Sequence, residues 1–207
     1  MRRQSPETAL SFPGIRKPVS RAEATRAAIL DAARVVFVRD GYVESSIAVI
    51  CESANTSVGS LYHHFGGKAD VFTALYKRYG QHTSRAATEA VAAAREVGEA
   101  DPVELFVAGA RGYLRQCHAE SDLTDLFLHG DGPPGFNALR RQKDAEWVGQ
   151  NSRLIRAEDR RNGRALVNVL TTVCGSAGRE VAKTKKPKDA DVLIDDFGDL
   201  LRRLAQS

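Results

Sequence analysis

The sequence predicts an all-α fold, and three observations predict it. Apolar residues recur at the three- and four-residue spacing of helices along almost the whole chain, with no convincing two-residue alternation of strands. Ser, Asp, Asn, Gly and Pro fall between those stretches, where helices start and stop. Residues 46–65 hold two short helical segments around one tight turn, followed by a larger set of long ones. The 207 residues are enough for a small domain joined to a larger one, and 43% apolar with 27% charged residues is a globular composition able to bury a core.

Each element follows from local chemistry. Ser20 and Glu23 have capping-box spacing, each side chain placed to accept the other's free backbone N–H. Ile29, Ala32, Ala33, Val36 and Phe37 then mark one helix face, and Gly41 ends it. A short stripe of Ile47, Ile50, Cys51 and Ala54 follows, capped by Ser45 or Ser46; Asn55, tolerant of positive φ, interrupts it. Ser57 caps a third helix, SVGSLYHHF, broken by Gly66 and Gly67. A fourth starts near Lys68 and runs to about residue 80, with Val71, Phe72, Leu75 and Tyr79 inward. Asp101-Pro102 opens a helix carrying Val103, Phe106, Val107, Ala110, Leu114 and Cys117. Leu123, Leu126 and Phe127 form a short segment ending in GDGPPG, and a polar helix spans about 136–156. Two C-terminal helices, with Leu166 to Val181 and Leu193 to Leu204 on their stripes, are separated at Pro187.

The formal net charge of +4 is unevenly placed. Residues 1–21 hold five Lys/Arg and one acid, and the remainder is balanced, so a basic arm precedes a neutral body and suits a polyanionic partner. Three widely spaced cysteines argue against a disulfide framework and for a reducing, cytoplasmic setting. No apolar stretch is long enough for a membrane span, and the first residues lack the apolar region of a secretory signal.

The stretch that carries function is SIAVICESANTSVGSLYHHF, residues 46–65. Two short helices at a tight turn push the second into a DNA major groove; Ala54 is small enough for a close crossing, and the free N–H groups at Ser57 can meet a phosphate. Gly41-Tyr42, Ser45-Ser46, Ile50, Ala54, Ser57, Gly59, Leu61-Tyr62, His64-Phe65 and Lys68 stand at the spacing of the TetR (tetracycline-repressor) family, which residues 22–80 closely resemble. That resemblance implies an N-terminal three-helix helix-turn-helix domain and a larger C-terminal helical domain for effector binding and dimerisation, in a bacterial cytoplasmic repressor. It implies phosphate contacts by Tyr62 and His63, by Ser45 or Ser46, and by Lys68. It also implies base-edge or adjacent phosphate contacts by Ser57, Val58, Gly59 and Ser60, while His64 is more structural and Leu61 and Phe65 are core. Relatives commonly carry Arg where this chain has Ala48, Lys or Arg where it has Val58, and Gly where it has Asn55. The reading head is therefore nearly neutral, and the arm is expected to supply the electrostatic attraction.

The expected division is a flexible basic arm at 1–19, a DNA-binding domain at 20–67, a connecting helix to about 80 and a C-terminal domain over 81–207. The expected partners are double-stranded operator DNA, a second copy of the chain and a small-molecule effector, with no cofactor, metal or membrane. The dimer interface is expected at Leu170, Val173, Ala177, Phe197, Leu201 and Leu204. An apolar effector pocket is expected at Phe106, Tyr113, Leu114, Phe127, Phe136 and Trp147, with His118 or His129 as polar handles. An enzyme is disfavoured: GDGPPG lacks the Lys-Ser/Thr of a phosphate loop, and no hydrolase, metalloprotease or dithiol motif is present. The remaining alternative is a constitutive dimeric DNA-binding protein without a ligand.

Overall fold

Ser20 and Glu23 close the reciprocal cap that their spacing predicts. The Glu23 N–H donates to Ser20 Oγ at 3.1 Å and the Ser20 N–H to Glu23 Oε2 at 2.8 Å. From this cap the computed structural model describes residues 20–206, so the expected arm at 1–19 lies outside the described residues. Helix α1 (Arg21–Glu44) is kinked at Gly41, whose φ of 74° no side-chain-bearing residue adopts easily. Helices α2 (Ile47–Ser53) and α3 (Val58–Phe65) follow, then α4 (Lys68–Glu96), α5 (Pro102–Ala119), α6 (Ser121–His129) and α7 (Phe136–Leu154). A 3₁₀ turn (Ala157–Asp159) leads to α8 (Gly163–Lys183) and α9 (Pro187–Gln206), and no strand occurs among the described residues.

Helix α4 corrects one expectation. It does not stop near residue 80 but continues unbroken to Glu96, so the expected boundary falls inside a single helix. The continuation was hard to read because Thr83, Ala86, Ala87 and Ala90 carry little hydrophobic signal, although alanine is the strongest helix former. Nothing interrupts the chain until Gly98, at φ 93°.

The packing centres on two regions. In the first, α1, α2, α3 and the start of α4 close over Ile29, Val36, Phe37, Ile50, Leu61 and Leu75. Phe72 is the hub: its ring meets Phe37, Tyr42, Phe127 and Phe136 edge to face, with centroids 5.1–5.3 Å apart. Phe127 and Phe136 thus belong to the core joining α6 and α7 to the N-terminal helices. In the second region, Val103, Phe106 and Val107 of α5 pack on Leu166, Leu170 and Leu201 of α8 and α9. Leu114 packs with Ala177, Val181 and Ile194. Helices α4 and α5 cross closely because Gly112 has no side chain: a Cβ there would lie 2.8 Å from Ala90 Cβ. Arg202 adds a two-pronged ion pair from α9 to Glu104 of α5, at 2.6 and 2.9 Å. No helix is long and apolar enough to cross a membrane among the described residues.

Candidate functional site

The helix-turn-helix forms from two local caps and one turn. Ser46 Oγ accepts the Val49 N–H at 3.2 Å and starts α2, and Ser57 Oγ accepts the Ser60 N–H at 3.1 Å and starts α3. Between them Asn55 takes φ 48°, the left-handed turn its side chain tolerates. Leu61 and Phe65 anchor α3 in the core beside Ile50, which turns the opposite face outward. That face presents Ser57, Val58, Gly59, Tyr62 and His63 to solvent, Tyr62 with 51% of its surface exposed; Ser60 is half-buried. Such a convex ridge, side chains out on a filled base, is the geometry a major groove admits.

Two expected phosphate ligands are placed elsewhere. Ser45 is buried and its Oγ donates to the Tyr42 carbonyl at 2.8 Å, leaving Ser46 as the exposed serine of the pair. Lys68 turns its ammonium inward, donating to the carbonyls of Tyr42, Val43 and Ser45 at 2.8, 3.1 and 2.8 Å, over the Tyr42 ring. All three N–H donors are thereby occupied, so Lys68 holds the end of α1 rather than reaching outward. Arg26 ties α1 to the end of α3 in a similar way: Nη1 donates to the His64 carbonyl at 2.8 Å and the guanidinium lies over the Phe65 ring.

A cavity of about 690 Å³ opens between α4 and α7, floored by α5 and α8. Phe106, Tyr113 and Trp147 line it; Leu114, Phe127 and Phe136 do not, because the aromatic hub and the α5–α8 contact absorb them. The void comes from small residues. Gly80 of α4 and Gly175 of α8 both line it, and a Cβ at either would meet nothing within 4 Å. Glycine inside a helix costs about 0.5–1 kcal/mol relative to alanine, so two helices accept a penalty where a methyl group would fit. Sequence reading missed these residues and also Tyr76, Tyr79 and Arg95. The one available signal was Gly80, Ser84 and Ala87 at helical spacing on α4. His118 is not a handle here: its Nε2 lies 2.9 Å from the Thr184 carbonyl, at the loop between α8 and α9.

Polar contacts link this cavity to α1. Tyr79 lines the cavity, and its hydroxyl lies 2.9 Å from Thr124 Oγ1 of α6. Two residues earlier on α6, Asp122 receives Arg34 of α1 in a two-pronged pair at 2.6 and 2.7 Å. Burial pushes the Asp122 carboxyl up, but the Arg34 guanidinium and backbone N–H groups outweigh it and leave it below its ordinary range. Glu120 adds a third point, 3.4 Å from Arg34, 3.1 Å from His82 of α4 and 2.9 Å from Gln116.

The expected dimer stripe faces the protomer's own core. Leu170, Ala177 and Leu201 are fully buried within the chain, and Val173, Phe197 and Leu204 are partly so. The apolar residues that α8 and α9 turn outward are Val169, Val192 and Leu200, 48%, 62% and 46% exposed.

Comparison with known proteins converges on one family. The family model described as "Bacterial regulatory proteins, tetR family" matches residues 29–75, the core of the helix-turn-helix region. The HTH-type transcriptional regulator UidR of Escherichia coli (strain K12) is 43% identical over 54 residues, 26% of this chain and 28% of that protein, so the match spans under a third of the relative's length. Among solved structures, a TetR-like transcriptional regulator from Rhodococcus sp. RHA1 superposes with a TM-score of 0.69 at 22% identity, over 91% of this chain and 97% of its own. The fatty acid degradation regulator FadR from Bacillus halodurans gives 0.68 at 16% identity, over 85% and 97%. At these identities the structures share the fold. The motif and the family model agree over residues 29–75, which form a helix-turn-helix region of the tetR type, in a chain that has the fold of TetR-like regulators.

Proposed function

We propose that this chain is a sequence-specific transcriptional regulator that binds operator DNA as a homodimer through α3 and leaves it when a small molecule enters the α4–α7 cavity. The observation that carries the DNA-binding part is the outward face of α3, with Tyr62 and His63 standing free over buried Leu61 and Phe65. Ser46, Ser57, Tyr62 and His63 contact phosphates; Val58, Gly59 and Ser60 approach base edges, and Lys68 acts indirectly by fixing the end of α1. Residues 20–67 form the reading head, α4 is shared, and the following helices form the effector and dimerisation body.

One head contacts only a half-site, so pairing supplies the rest. The outward apolar residues Val169, Val192 and Leu200, with the partly open Val173, Phe197 and Leu204, form the dimer face. Release follows from linkage: an effector must favour a state whose two α3 helices no longer match half-sites about 34–36 Å apart. The route runs from Tyr79 at the cavity wall through Thr124 and α6 to Asp122 and Arg34 of α1.

The test is selection of bound duplexes from random DNA by the purified protein, then anisotropy titration of a selected duplex. Tight, sequence-dependent binding by a dimer is expected; indifference to every duplex at low salt sinks the reading. V169E with L200E is expected to give a monomer by sedimentation velocity with a weakened grip on the full operator.

A further inference from the structure

We propose, on the footing of the effector reading above, that the cavity takes one elongated, mainly apolar molecule carrying a single anionic group, its body along α4 and its charge at Arg95. The shape follows from the lining. On α4 it extends from Tyr76 to Arg95, about 28 Å of helix, whereas on α5 it runs only from Phe106 to Tyr113. This is a trough rather than a round chamber. Gly80, Ala87 and Gly175 keep bulky groups out of its length, and α7 closes the far side with Trp147 and Leu154.

The interior is uncharged. Burial pushes the Tyr76 hydroxyl and the Cys174 thiol each up to about 12, so both stay protonated. Thr83 and Thr88 donate their hydroxyls to carbonyls of α4 itself. A charge midway along the trough loses its hydration and meets only neutral groups, Gln150 and Asn151 among them, which favours an apolar body.

The two ends differ. Tyr76 packs on Phe136, which places the first half of α7 at that end, and there cations and anions mix: Lys77, Lys143, Asp144 and Glu146, with Lys143 and Glu146 paired at 2.6 Å. Phe106 and Leu154 share a core cluster and mark the other end, where Arg95 is the only charged lining residue among the described residues. Arg95 is exposed and has no ion pair among the described residues. An anionic group at the end of an apolar chain satisfies both observations.

Trp147 is the only tryptophan of the chain and lines the trough, so its emission reports occupancy directly. The full chain is titrated with dodecanoate, dodecanol, dodecyltrimethylammonium and benzoate, below micelle-forming concentrations. Dodecanoate is expected to saturate the signal at least tenfold more tightly than the other three. R95Q is expected to erase that advantage while leaving dodecanol binding unchanged, and G175L or G80L to abolish chain binding with the fold intact by circular dichroism. Benzoate binding more tightly than every chain, dodecanol matching dodecanoate, or an unaltered dodecanoate affinity in R95Q overturns the proposal. Operator release is read separately by anisotropy. Dodecanoate bound with the operator retained supports this ligand class and refutes effector release; benzoate releasing the operator while no chain binds does the reverse.

Discussion

The head formed by α1, α2, α3 and the start of α4 and the body formed by the rest of α4 and the helices after it are both helical, but they reach opposite solutions at their candidate binding surfaces. In the head the interior is filled around Phe72, and Tyr62, His63 and Val58 project from a solid base. In the body α4 and α7 stand apart, and the surface is defined by the side chains that Gly80 and Gly175 lack. A convex site is made by adding groups to a packed core; a concave one is made by withholding them. Substitutions that delete atoms therefore damage the first region, while substitutions that add them alter the second.

The strongest challenge to that contrast is F72A. If the head's filled core also anchors α6 and α7, removing its hub costs about 3–5 kcal/mol, and urea unfolding shows one transition for head and body together. Two separated transitions would show that the regions are independent. Next comes Y62A, expected to weaken binding to the selected duplex by about 1.5–3 kcal/mol, the worth of a hydrogen bond to a charged group. The melting temperature barely moves, because the residue stands half in solvent. A large fall in stability would place Tyr62 in the core.

Smaller is D122N, which breaks the link between the regions. About 1 kcal/mol of stability is expected to go, discounted because both partners are about one-third exposed. The folded carboxyl lies below its ordinary range, so its contribution is complete above the unfolded pKa of about 3.9 and disappears as pH falls through the lower folded value. D122N should therefore flatten the acid limb of the stability profile and leave the neutral plateau lower; an unchanged acid limb refutes the assignment. Smallest is G175A, expected to raise stability by about 0.5–1 kcal/mol in urea with no change in operator affinity, since the methyl group enters open space.

What could be read in advance divides along the same line. Caps and turns are local, so Ser20 with Glu23, Ser46, Asn55, Ser57 and Asp101 could all be placed from neighbours a few residues away. Direction is not local. Lys68 and Ser45 sit at motif positions that leave open whether their donors face DNA or the carbonyls at the end of α1, and they face the carbonyls. Leu170 and Leu201 lie on apolar stripes that would suit either a partner or α5, and α5 takes them. The trough was illegible for a different reason: glycine and alanine carry no hydrophobic signal, and a void is the absence of one. Large apolar residues carry that signal instead, and three of the six expected there, Phe127, Phe136 and Leu114, fill the core.

The unbroken run of α4 has a consequence for how such a molecule can be altered. Head and body are fixed to one rod, and each residue of a helix advances about 100° and 1.5 Å. Inserting a single residue after Gly80 would swing the head by more than a quarter turn, whereas seven residues would nearly restore its phase while lengthening the rod by about 10 Å. Grafting this head onto another body is therefore a problem of angular phase, with the tolerated splice points recurring once per turn or two rather than anywhere along a linker.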